Sequence, residues 1–213
     1  QQLETLATSG KIKYLDYKPF LFGIMQGGFY PDLREKSARE LAALDFDGYA
    51  IGGLAIGEPR DKTAEMIRVC APLLPEDKPR YLMGMGMPEE IVLAVQNGVD
   101  MFDCVIPTRN ARHGELFVWK NKDLVSGASH GLVSGARFYD VLHITNKQFE
   151  TDQAPVDSQC ACYTCKNFPR SYLRHLYMGE ENLGFRLASL HNLKFYHELM
   201  EILRNKIIKN ECI

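Results

Sequence analysis

The feature that most constrains this chain is an alternation of short apolar runs with amphipathic stretches between about residue 20 and residue 107. Phe20 to Met25 reads as a strand ending in Gln26-Gly27-Gly28. Pro31 to Phe46 reads as a helix with Pro31 in its first turn and Leu33, Leu41 and Leu44 among its apolar positions. Next come a strand from Gly48 to Leu54 and a helix from about Asp61 to Leu74. Arg80 to Met85 is a third strand, Pro88 opens a helix that Gly98 closes, and Met101 to Ile106 is a fourth strand. Four such repeats with short connections predict an α/β fold: a parallel sheet with right-handed crossovers, either doubly wound or a barrel. An eight-unit barrel takes about 250 residues, and the repeats here occupy only ~90. Half a barrel alone would expose two sheet edges, so it requires further sequence or a partner chain.

The 213 residues are 46% apolar and 24% charged, which excludes disorder, collagen and coiled coil as the main state. With 25 Lys+Arg against 27 Asp+Glu, the near-neutral balance argues against coating nucleic acid by bulk charge, so any such site must be local. No apolar run approaches the ~18 residues needed to cross a bilayer, and the first residues lack the regions of a signal peptide. A cytoplasmic address without membrane contact is expected. The sequence opens at Gln1, so a piece of a longer chain is also expected.

Beyond Pro107 the pattern changes. Glu115 to Lys120 reads as a strand, and the stretch from Asn121 to Asp140, which carries LVSGA at 124–128 and again at 132–136, reads as a flexible insertion without chemistry. Two helices follow, at about Ser171 to Glu181 and Leu183 to Asn210. The second offers Leu187, Leu190, Leu193, Phe195, Leu199, Ile202 and Leu203 as a packing face.

Three of the six cysteines fall within six residues, at Cys160, Cys162 and Cys165, which points to a metal site rather than a disulfide framework. Three thiolates that turn onto one tetrahedral ion need a fourth ligand, and a helix can deliver an imidazole. Spacing alone does not choose among His175, His191 and His197. The alternative is three ordinary thiols beside an unrelated histidine. Cys70 and Cys212 read as structural bystanders.

Parallel barrels place active sites at the C-terminal ends of their strands. Those ends offer Gln26-Gly27-Gly28, Gly52-Gly53-Leu54, Gly84-Met85-Gly86 and Asp103. Glycines there serve tight turns, or let a flat polar ligand reach the backbone, with the Gln26 amide suited to a nucleobase edge. Asp103 interrupts an apolar strand, where a carboxylate is costly unless bonded or functional, so it is a candidate nucleophile or acid/base. Asp100 reads as a turn residue. Thr108 to His113 reads as a compact basic loop, able to grip phosphates or simply solvated.

FGIMQGG at 22–28, DGYAIGGLAIGE at 47–58, YLMGMGMPEEI at 81–91, MFDCVIPTRNAR at 101–112 and CACYTC at 160–165 with His191 closely resemble the tRNA-guanine transglycosylases, also called queuine tRNA-ribosyltransferases. The resemblance implies the C-terminal half of a (β/α)8 barrel with a zinc-binding subdomain. Residues 1–113 would supply the last four barrel units, 114–158 a β extension and 159–213 the zinc subdomain. It implies exchange of guanine at the wobble position of a tRNA anticodon loop for a 7-deazaguanine. Asp103 matches the nucleophile that attacks the ribose. Gln26, Gly52, Gly53, Leu54, Tyr81 and Met83 match base-pocket positions, with Tyr81 along the purine face. Gly84, Met85, Gly86, Met87, Pro88, Glu89 and Glu90, and Thr108, Arg109, Asn110, Ala111 and Arg112, match tRNA-contacting segments. Cys160, Cys162, Cys165 and His191 match the ligands of a structural Zn2+, and a homodimer is implied. Ile56 is the bulky aliphatic residue of bacterial members, which implies 7-aminomethyl-7-deazaguanine as the incoming base. The family's N-terminal strands, with the aspartate that serves as general base, have no counterpart here, so the chain alone should turn over little. The competing reading is a non-catalytic tRNA-binding or dimerisation subunit with a structural zinc.

Overall fold

The computed structural model describes residues 19–54, 57–123, 125 and 137–211. Ile56, Cys212, the first eighteen residues and almost all of the LVSGA duplication lie outside them. Four parallel strands pair in sequence order: β1 (Phe22–Met25), β2 (Gly48–Ile51), β3 (Arg80–Leu82) and β4 (Met101–Phe102). The order never reverses, so the described strands contain no switch point of the doubly wound kind. Between them run α1 (Pro31–Ala42), α2 (Arg60–Cys70) and α3 (Pro88–Gln96). Met25, Ile51, Leu82, Met66, Ile67 and Leu93 share one buried core beneath the sheet.

Local chemistry sets the helix bounds. Pro88 begins α3 where a missing N–H costs nothing, and the Glu90 carboxylate accepts the Met87 N–H at 3.0 Å. The helix ends as expected at Gly98, whose φ of +86° lets its N–H reach Val95 O and the Val99 N–H reach Ala94 O, both at 3.0 Å. Helix α1 stops earlier than the pattern predicts, because the chain reverses through Asp45 at φ +49° and tucks the Phe46 ring over Gly23. Its buried face is also shifted. Arg34 and Ala38 point inward with Leu41 packed beside them, whereas Leu33 and Leu44 are exposed.

Past β4 three expectations are corrected. The fourth strand stops at Phe102, and the supposed basic loop is helix α4 (Ile106–Arg112). Pro107 fixes the helical first turn, Ala111 is fully buried, and Gly114 at φ +79° ends the element. Strand β5 (Glu115–Trp119) then pairs antiparallel with β6 (Tyr139–His143), so Tyr139 and Asp140 belong to a strand rather than to the predicted insertion.

Helices α5 (Tyr163–Asn167), α6 (Arg170–Met178) and α7 (Asn182–Ile208) complete the chain. Leu187, Phe195, Leu199 and Leu203 of α7 are buried as predicted. Leu190 and Leu193 are exposed, and His191, Asn192 and Tyr196 occupy the packing face in their place. Phe195 stacks on Phe117 and lies 4.2 Å from the Trp119 ring centroid, and the same cluster takes in Ile91 and Val92 of α3. Helix α7 thus packs against both the hairpin and the strand–helix repeats. No described helix is long and apolar enough to cross a membrane.

Candidate functional site

Parallel pairing brings all four strand ends to one edge of the sheet. There the Tyr81 hydroxyl donates to Asp103 Oδ1 at 2.6 Å and the Gly84 N–H donates to the same oxygen at 2.8 Å. Asp103 sits just past β4 and is exposed, so desolvation is slight and hydrogen bonds dominate. The Tyr81 hydroxyl first, then the Gly84 amide, hold the Asp103 carboxyl below its ordinary range, and the same bond pushes Tyr81 up to about 12. The carboxylate is therefore ionised throughout the neutral range, with a protonated phenol fixing one of its oxygens. Replacing Tyr81 by Phe removes the larger stabiliser of the anion, so the pKa of Asp103 should rise. The acid limb of any Asp103-dependent rate then moves to higher pH, which a pH–rate profile measures directly.

On the neighbouring strands, a Cβ at Gly52 would fall 2.6 Å from Gln26 Nε2, and one at Gly53 would fall 2.7 Å from Gln26 Oε1. The glycines thus make room for the Gln26 amide to lie over their backbone. Leu54 turns its side chain into the core. Half-buried Met83 extends the ladder, its N–H donating to Ile51 O at 3.3 Å.

The two segments that the resemblance assigns to tRNA contact divide by exposure. Gly84 is exposed and Met87 half-buried, but Met85, Gly86 and Pro88 are buried. Glu90 is also buried, which raises its pKa, and it caps its own helix. Glu89 accepts from the Tyr139 hydroxyl at 2.6 Å and from Arg60 at 2.9 Å. In the second segment, helix α4 sets exposed Arg109 and Arg112 one turn apart beside His113, with Thr108 and Asn110 half-buried and Ala111 inside. The Tyr177 hydroxyl donates to Ala111 O.

Gly86 is a close approach of backbone to side chain: a Cβ there would lie 2.0 Å from Cys104 Sγ, and the Gly86 carbonyl accepts from the Tyr196 hydroxyl at 2.6 Å. Gly86→Ala should therefore destabilise the protein by about 1–3 kcal/mol through overpacking, read as a lower urea midpoint.

The cysteine cluster forms around α5. Cys162 caps the helix, its sulfur accepting the Cys165 N–H at 3.4 Å, and Thr164 ties α5 to α7 through Leu187 O at 2.7 Å. One donor atom from each of Cys160, Cys162, Cys165 and His191 lies within 4.8 Å of every other. All three cysteines are free, and His175 and His197 are exposed on other faces. His191 Nε2 donates to Phe117 O at 2.7 Å, so its Nδ1 lone pair faces Cys165 Sγ at 3.3 Å and Cys162 Sγ at 3.7 Å. Three sulfurs and one imidazole nitrogen, buried except for half-buried Cys165 and with the second ring nitrogen already oriented, suit a closed tetrahedral ion such as zinc.

Sequence reasoning missed three contributors. Arg34 is fully buried and donates to main-chain carbonyls at the ends of β1 and β2, with Gly52 O the nearest at 2.7 Å; burial lowers its pKa. A lone arginine in register with Ala38 and Leu41 was its signal. Asn192 binds Phe117 N, Pro107 O and Glu115 O from the helix position beside His191. The Tyr81–Asp103 bond joins residues twenty-two apart and had no signal in the sequence.

A model of the queuine tRNA-ribosyltransferase family matches residues 4–212. Proteins named queuine tRNA-ribosyltransferase from Thiobacillus denitrificans and Vibrio atlanticus are each 49% identical over 187 residues, covering 88% of this chain and 46% and 44% of their own lengths. One from Psychrobacter cryohalolentis is 48% identical over 88% of the chain and 45% of its own length. The chain spans less than half the length of these curated relatives. A match across nearly its whole length means that the chain belongs to the queuine tRNA-ribosyltransferase family.

Proposed function

We propose that this chain is the nucleophile-bearing part of a tRNA-guanine transglycosylase, which exchanges guanine at the wobble position of a tRNA anticodon loop for 7-aminomethyl-7-deazaguanine. The observation that carries the reading is the Asp103 carboxylate, ionised at neutral pH and oriented by the Tyr81 hydroxyl and the Gly84 amide at the glycine-lined strand ends. Both bonds fall on Oδ1, so Oδ2 is the oxygen that attacks the ribose anomeric carbon. The C–N bond to guanine breaks as the C–O bond forms, guanine departs with the electron pair and takes up a proton at N9, and the incoming base, giving up its own N9 proton, displaces Asp103 in a second, reversed step, so the exchange is proton-neutral. Two inversions give net retention, and each barrier is lower than that of a direct exchange.

Gln26 and the backbone of Gly53 and Leu54 hold the base, Gly52 supports them, and Met83 and the Tyr81 ring wall the pocket. Arg109 and Arg112 grip phosphates next to the splayed wobble nucleotide. Gly84 and Met87 lie at the pocket rim, while Met85, Gly86, Pro88, Glu89 and Glu90 shape that segment from below. In this reading the four parallel strands continue into a (β/α)8 barrel, as their unreversed order supports. Zn2+ would be held by Cys160, Cys162, Cys165 and His191 and supplies no reaction chemistry, only a cross-link among α5, α7 and the chain before them. A homodimer completes the assembly.

The test is a covalent trap. Enzyme expressed from the full reading frame, mixed with tRNA and denatured, should retain a tRNA adduct that Asp103→Ala abolishes, and the 213-residue chain alone should form little. Tight tRNA binding without an adduct in the full-length protein would instead leave the non-catalytic subunit reading standing.

A further inference from the structure

Arg34 reaches from α1 to the ends of β1 and β2 and spends its guanidinium on carbonyl oxygens. Nη1 donates to Gly52 O at 2.7 Å and Met25 O at 3.2 Å, Nε to Gly28 O at 2.9 Å, and Nη2 lies 3.5 Å from Gly53 O. Its side chain is fully buried. Withdrawing a cation from water is costly, and a neutral side chain would fill the space more cheaply, so the charge asks for a local use.

The peptide geometry supplies one. The Gly52 carbonyl belongs to the same peptide unit as the Gly53 N–H, and no described peptide is cis, so that N–H points away from the guanidinium. A charge-assisted bond on the carbonyl withdraws electron density from the amide and makes its N–H a stronger donor. The Gly53 carbonyl and the Leu54 N–H form the next unit, which Nη2 approaches more distantly. An N–H facing a purine meets an acceptor on its edge, and guanine's strongest is the 6-oxo group. As the glycosidic bond breaks, the leaving purine gains charge that spreads to that oxygen, so the bond strengthens in the transition state.

We infer that Arg34 is a positioning residue which, through the Gly52–Gly53 peptide, sharpens recognition of the purine 6-oxo group and assists its departure. This rests on the reading of the strand ends as the base pocket. The test compares guanine with 2-aminopurine, which lacks the 6-oxo group, by calorimetric titration of the full-length enzyme. Wild type should prefer guanine by about tenfold or more, the scale of one good hydrogen bond. Arg34→Lys keeps the charge but cannot span the same carbonyls. It should cut that preference to within about threefold while leaving 2-aminopurine affinity and zinc content near wild type, at some cost in unfolding temperature because buried carbonyls lose their donor. Its kcat should fall with the KM for tRNA unchanged.

A folded Arg34→Lys that prefers guanine as strongly as wild type overturns the inference alone. A wild type that binds neither purine overturns the pocket reading and the inference with it. One that binds both purines alike overturns the inference without any variant. If Arg34→Lys does not fold, the Gly53 amide proton of wild type decides. It should move downfield on adding guanine but not 2-aminopurine, and a resonance that guanine leaves in place refutes the inference.

Discussion

Stripping the metal from the Cys160–Cys162–Cys165–His191 cluster should unfold the C-terminal helices rather than merely loosen them. A structural zinc contributes on the order of 10 kcal/mol of apparent binding energy in small domains, comparable with the entire stability of a typical fold. Helix α5 has only five residues, and its polar ties to α7 run through the Thr164 hydroxyl and its sulfurs. Loss of the ion also leaves three crowded sulfurs near a buried imidazole already committed to Phe117 O. The expected result is loss of helical circular dichroism and a fall of the unfolding temperature by tens of degrees when a strong chelator removes zinc, restored by adding it back. His191→Ala should reproduce the effect without chelator. Chelated protein that keeps its zinc-loaded unfolding temperature would show that the cluster is an ordinary thiol core.

Asp103→Asn should abolish the tRNA adduct and lower base exchange by a factor on the order of 10^6, the scale seen when a covalent nucleophile is removed from a hydrolase. Asparagine nearly preserves the shape, and its carbonyl oxygen can still accept from Tyr81 and Gly84, so binding of tRNA and base should change little. Because Asp103 is exposed, zinc content and the denaturation midpoint should hold. The selective loss of chemistry, with folding and binding intact, separates a nucleophile from a residue that merely shapes the pocket. Adduct formation at a wild-type rate in the asparagine variant would rule Asp103 out.

Much of the fold is legible because glycine and proline punctuate it. Pro31, Pro88 and Gly98 mark helix ends in the sequence and do so in the structure. The misplaced helix faces share one physical origin, polar residues occupying core positions. Arg34 displaces the expected face of α1, and His191 and Asn192 displace that of α7, since a hydropathy pattern assigns such residues to solvent. Pro107 misled in another way. Thr108 to His113 reads as a loop, yet Pro107 sits in the first turn of α4 and turns Arg109 and Arg112 into neighbours on a helix. The cysteine cluster was readable from spacing, but the histidine was not, because only packing separates His191 from the exposed His175 and His197. Asp103 stood out as an acid among apolar residues, whereas the partners that tune it come from β3 and its outgoing turn, which only strand pairing brings near.

Helix α7 links the two sites on a single rod. His191 faces the sulfurs, and five residues later Tyr196 holds the Gly86 carbonyl beside the segment that carries Gly84. One residue inserted between them would swing Tyr196 by about 100° around the helix axis relative to His191. The phase of this short stretch is therefore mechanically keyed at both ends, and a homologue could lengthen its loops freely while this interval stays fixed in length.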